Sequence, residues 1–150
     1  MIRFHRKPEC LGMTQPTITT SLRWPTAIAL LVASAAHIPV IPEHLHEAPY
    51  MGMLFVVFTV VSAALAVVVA VRGLAPPPFL LSGGLCAAAI LAYCLTRLVA
   101  LPQLGDDVGH WGETAGVIAV ASEAIVVALS VAGVAWLRRP TRPVASSAAA

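Results

Sequence analysis

Apolar residues fill four long stretches of this chain, and polar residues gather between them. The stretches cover residues 25–41, 51–71, 79–101 and 114–137. A helix needs about 20 mostly apolar residues to cross the hydrocarbon core of a bilayer. The first stretch is the shortest, and the others are long enough with little or no charge: none in the second, Arg97 in the third and Glu123 in the fourth. The breaks are rich in proline, which lacks a backbone N–H and does not easily continue a helix. They are Pro42 to Pro49, Arg72-Gly73 with the run Pro76-Pro77-Pro78, and Pro102 to Glu113. The pattern predicts an all-α integral membrane four-helix bundle over residues 24–138. Residues 1–23 are expected to be a disordered N-terminal segment and 139–150 a disordered tail.

The charges give this bundle a direction. Arg3, Arg6, Lys7 and Arg23 precede the first stretch, Arg72 follows the second, and Arg138, Arg139 and Arg142 follow the fourth. Arg and Lys concentrate on the cytoplasmic side of membrane proteins, so both termini are expected there, in the plasma (inner) membrane. The other two loops hold Glu43, Glu47, Asp106, Asp107 and Glu113 and no Lys or Arg. Trp24, Tyr50, Trp111 and Trp136 fall near the ends of the stretches, as interfacial aromatics do. The first stretch has a second reading: a basic lead, a short apolar run and Ala33-Ser34-Ala35-Ala36 resemble a cleavable signal peptide. Ile38 to Ile41 prolong the run and favour a retained span. Met13 is an alternative start.

Composition agrees with the pattern. The chain is 59% hydrophobic and 11% charged, where soluble domains average about 25% charged. So little charge cannot cover a soluble surface, and the expected partner is the lipid bilayer. No strongly basic amphipathic helix or Gly-rich phosphate loop is present, which argues against nucleic acid. The three cysteines, Cys10, Cys86 and Cys94, form no C-x-x-C pair, and the last two read as small buried thiols. Lipid supplies no hydrophobic drive for helix association, so small residues mark close packing. Gly83/Ala87, Gly84/Ala88, Ala115/Ala119 and Ala128/Ala132, together with Gly116, Ser130 and Gly133, are candidates.

Ionisable groups within a span are costly and point to function. His37, Arg97 and Glu123 are the three. From the 1.5 Å rise per residue, His37 and Arg97 lie about 6 Å from the outer ends of their spans and Glu123 roughly 13 Å deep. Arg97 could reach inward to Glu123 or snorkel outward. In the first outer loop Pro42 favours a short helical turn, on which His44 and Glu47 share a face; Asp106 and His110 could do so in the second. Imidazole and carboxylate together suit a transition-metal ion. His37, His44 and Glu47 are therefore candidate metal ligands, with Arg97 and Glu123 as ligand-binding or ion-relay groups.

The pattern His37-x-x-x-x-Pro42-Glu43-His44-Leu45-x-Glu47-x-Pro49-x-x-Gly52-x-x-Phe55 resembles that of a group of small bacterial, mainly actinobacterial, four-helix membrane proteins. Arg97 with Leu101-Pro102, and Glu123, extend the likeness, which runs from Ala27 to about Val134. His46 and His110 are not part of it. The resemblance implies a fold and a shared polar set rather than a reaction.

Two functions follow as expectations. One is a membrane protein with an outward-facing His/Glu/Arg pocket for a transition metal or small polar ligand. The other is an accessory or assembly subunit of a larger membrane complex, or a homo-oligomer, without catalytic activity. No soluble lobe or nucleophile–base pair stands out beyond Ser34, three residues before His37, so the sequence points away from an enzyme.

Overall fold

The computed structural model describes residues 17–72 and 75–138. They form α1 (Thr17–His37), a 3-10 turn (Ile38–Val40), α2 (Ile41–Glu47), α3 (Pro49–Arg72), α4 (Pro76–Leu98), a second 3-10 turn (Gly105–Asp107) and α5 (Thr114–Leu137). No β-strand occurs among the described residues. Four helical stretches are long and apolar enough to cross a membrane: Leu22–Glu47, Pro49–Arg72, Pro76–Leu98 and Thr114–Leu137. The expected all-α membrane bundle is therefore observed.

The helix boundaries follow local chemistry. Before α4, Ala75 is extended (φ −118°, ψ 140°) and prolines open the first turn, where their missing N–H groups would have no partner anyway. The helix stops before Val99, again extended (φ −130°, ψ 130°). The third span is thus shifted toward the N-terminus from the expected 79–101, because the proline run belongs to the helix and Leu101-Pro102 does not. α1 starts at Thr17, well before the expected Pro25, which lies inside it. One missing helical hydrogen bond is tolerated in a membrane helix that packs on its neighbours. Of the N-terminal segment expected to be disordered, residues 17–23 are therefore helical. Residues 1–16, including Cys10 and Met13, and the tail 139–150 lie outside the described residues.

The up-and-down helices place the two longer connections, 38–48 and 99–113, at the same end, here termed the loop end. α1 packs against α3 and α5, and α5 packs against α4, whereas α3 and α4 touch only lightly. The ring order is therefore α3–α1–α5–α4, closed tightly everywhere except at the α3–α4 seam. Leu30, Ala33, Phe58, Val69, Phe79, Cys86 and Val126 are buried in the main core. Ala48, Met51 and Leu104 form a second cluster at the loop end, with Phe55 and Leu101 packed on it.

Several buried hydroxyls are absorbed locally. Thr26, Ser62, Ser82 and Ser122 each donate to the carbonyl four residues earlier, at 2.7–3.0 Å. Each thereby satisfies its hydroxyl within its own helix. Ser34 instead donates to the Thr59 carbonyl at 3.0 Å and ties α1 to α3.

The small-residue candidates are sorted by packing. A Cβ on Gly83 would lie 2.8 Å from the Ser130 Cβ, so α4 and α5 approach closely there. A Cβ on Gly84 would meet nothing within 4 Å. Gly83→Leu is expected to lower the thermal midpoint in detergent by an amount equivalent to about 2–3 kcal/mol, and Gly84→Leu to leave it nearly unchanged. Equal midpoints for the two variants would contradict this packing.

Candidate functional site

Arg97 lies in the last turn of α4 and is 6% exposed. Its Nη1 donates to the Asp107 Oδ1 at 2.9 Å and to the Asp107 carbonyl at 3.2 Å. Its Nη2 donates to the Glu113 Oε2 at 2.8 Å. The guanidinium also sits 4.9 Å from the centre of the Tyr93 ring. It does not pair with Glu123: the side chain extends from the helix end toward the loop carboxylates, which are nearer to the interface and easier to keep hydrated. The outward, snorkelling alternative therefore describes Arg97 better than the inward one.

This arrangement folds the 99–113 connection over the loop end of the bundle. The Gly109 N–H donates to the Arg97 carbonyl at 3.0 Å, from a backbone at φ 83° that favours glycine. Tyr93 Oη donates to the Trp111 carbonyl at 3.0 Å, and Tyr50 Oη to the Pro102 carbonyl at 2.7 Å. Asp106 and His110 are exposed, and no helix joins them.

The expected short turn of helix after His37 is present as α2. His37 and His44 both use Nδ1 locally, donating to the carbonyls of Ala33 (2.8 Å) and Val40 (2.9 Å). Both rings pack on Phe55, with centroids 5.2 and 4.9 Å from it, and His37 also lies 4.5 Å from the Phe58 ring centre. The Nδ1–H bond of His37 leaves Nε2 as an acceptor when the ring is neutral. Nε2 lies 3.7 Å from the Glu123 Oε1. Glu123 is 2% exposed, and its Oε1 has no hydrogen-bond partner among the described residues.

A cavity of about 280 Å³ lies beside this pair, in the half of the bundle nearer the loop end. α1 contributes Ala36 and His37, the 3-10 turn after it Val40, and α2 His44. Phe55 and Phe58 of α3, Ala89, Tyr93, Thr96 and Arg97 of α4, and Gly116, Ala119 and Glu123 of α5 complete most of the wall, with Asp107 and Glu113 of the 99–113 connection. Most of the surface is apolar, so the expected polar pocket is an apolar chamber with ionisable groups at a few points.

Comparison with protein families, with curated proteins and with solved structures finds no match to this chain.

The geometry brings His37, His44, Arg97 and Glu123 to one chamber but leaves Glu47 outside it, exposed. No group of three or more His, Cys, Asp or Glu side chains able to hold a metal ion occurs among the described residues. The expected His37–His44–Glu47 set is therefore not assembled. Phe55 lies against both imidazoles, and both Nδ1 atoms are committed to backbone carbonyls. Sequence reasoning missed Asp107 and Glu113 as the partners of Arg97, and Phe55, Phe58 and Tyr93 as chamber walls. One signal was available: the loop after Arg97 carries three carboxylates and no Lys or Arg.

Proposed function

We propose that this protein binds a small molecule in the chamber between α1, α3, α4 and α5, with Glu123 and His37 as its polar recognition pair. One observation carries this reading. Glu123 is a carboxyl group almost entirely out of contact with solvent, its Oε1 has no hydrogen-bond partner, and it faces a cavity. An unpaired polar atom among buried apolar neighbours costs free energy, so a bound group that satisfies it gains affinity. The cavity is close to the lower bound of about 300 Å³ for small-molecule sites, and a mostly apolar wall with few polar groups is the usual composition of such sites. The distribution of basic and acidic residues supports a cytoplasmic placement of both termini, which turns the chamber and the loop end outward.

Native mass spectrometry of the protein, released from its own cell membranes in mild detergent, tests this reading. The expected spectrum shows one small-molecule adduct per chain. Ala119 lies one helical turn before Glu123 and lines the same chamber. Ala119→Phe is expected to fill the chamber and reduce the adduct at least tenfold, with helicity retained by circular dichroism. Absence of an adduct on the wild type, or equal adducts on both proteins, would overturn the proposal.

A further inference from the structure

Resting on that site, we propose that the ligand is a lipophilic organic cation that enters from the hydrocarbon layer through the α3–α4 seam and takes Glu123 as its counter-ion.

The route follows from packing. Leu54 and Val57 of α3 and Ala88 and Ala92 of α4 line the chamber and are exposed. They are left uncovered where α3 and α4 meet only lightly, which marks an opening. They lie within two spans that touch only lightly, so the opening faces acyl chains rather than water. Ala88 and Ala92 are one helical turn apart, and their small side chains leave the gap unfilled.

The sign of the charge follows from the groups that face the chamber. Three carboxyl groups, Asp107, Glu113 and Glu123, meet one guanidinium, Arg97, with His37, His44 and Tyr93 as the other titratable groups. Arg97 is bonded to the first two carboxylates. Glu123 has the His37 imidazole near it, at 3.7 Å, and no cationic side chain paired with it among the described residues. The balance is negative, and an anionic headgroup would be repelled.

The kind of cation follows from the same geometry. A compact ion such as a metal or a primary ammonium loses a strong hydration shell on entering an apolar site, and several donor groups must replace it. No cluster of three His, Cys, Asp or Glu side chains is present among the described residues to do so. A large cation with spread charge is weakly hydrated, loses little on transfer, and needs only one counter-charge. Its apolar body suits walls made by Phe55, Phe58 and Ala89.

The test uses the full chain in lipid nanodiscs and equilibrium dialysis with tetraphenylphosphonium. Tetraphenylborate, of nearly the same shape and opposite charge, is the control. The expected result is saturable binding of one tetraphenylphosphonium per chain and no saturable binding of tetraphenylborate. Glu123→Gln is expected to weaken the cation at least tenfold, and Ala88→Phe, at the seam, to slow its uptake. Equal binding of the two ions by the wild-type protein would overturn the inference without reliance on any variant, as would undiminished cation binding by a folded Glu123→Gln protein. If tetraphenylphosphonium fails to bind while the native adduct persists and is lost in Ala119→Phe, the cation inference fails and the binding site stands. If both fail, both proposals fall.

Discussion

Arg97→Ala is expected to loosen the entire loop end and to lower stability by about 2–3 kcal/mol. The substitution removes the donors that hold Asp107 and Glu113, and leaves two carboxylates close together with no cation between them. It also removes the guanidinium that covers the Tyr93 ring, on a residue whose hydroxyl holds the Trp111 carbonyl. Truncating one member of a fully buried ion pair costs about 3–5 kcal/mol. The smaller figure applies here because the Asp107 and Glu113 side chains are 29% and 47% exposed, so water relieves part of their repulsion.

Arg97→Lys is expected to recover less than half of the loss. A single ammonium cannot span two carboxylates in the way that a forked guanidinium does. Thermal unfolding in detergent measures the stability, and amide hydrogen exchange over residues 104–113 measures the loosening, which should rise in Arg97→Ala. A double-mutant cycle with Glu113→Gln separates the pair from the loss of packing. An unchanged midpoint with unchanged exchange would show that the guanidinium holds nothing in place.

Gly52→Ala is the second large effect, although it adds a single methyl group. A Cβ at Gly52 would lie 2.6 Å from the Leu45 N and 2.8 Å from both its Cα and Cδ2. Two of these are backbone atoms, so no rotamer change relieves the clash and α2 must lift from α3. That displacement would disturb the Ala48–Met51–Leu104 cluster and the contact of His44 with Phe55. Overpacking of this kind costs about 1–3 kcal/mol, and Gly52→Val should lie at or beyond the upper end. Leu45→Ala is not expected to rescue Gly52→Ala, because the obstructing N and Cα remain. The thermal midpoints of the two single variants and the double variant test this; rescue would mean that the leucine side chain, rather than the backbone, makes the close contact.

These two sites show why parts of the sequence pattern stand together. His37, His44 and Phe55 meet as packed rings, and Leu45 meets Gly52 where two helices touch. The stretch from His37 to Phe55 reads by eye as a ligand-bearing loop. In the fold it is chiefly a joint that docks α2 on α3 and delivers one imidazole to Glu123.

The spans were legible in the chain because a bilayer imposes a length and an apolarity that show directly in one dimension. The last span, 114–137, agrees with α5 to the residue. The first and third were displaced, because proline can either bound a helix or sit inside one, and the backbone around Pro25 and Pro76 decides which. The burial of His37, Arg97 and Glu123 within the spans was equally legible, since a titratable group among apolar neighbours is conspicuous without coordinates. Their partners were not. Arg97 turns to Asp107 and Glu113 because a glycine at positive φ brings the loop back over its helix. Glu123 meets His37 because α1 and α5 are neighbours in the ring while α3 and α4 stand apart. Apolar periodicity records that a helix has a buried face, whereas neighbour choice depends on close fits such as Gly83 against Ser130. The sequence by itself determined a membrane bundle with charge inside it; only the tertiary structure decided that one carboxyl oxygen of Glu123 lies beside His37 without a hydrogen bond, facing a cavity.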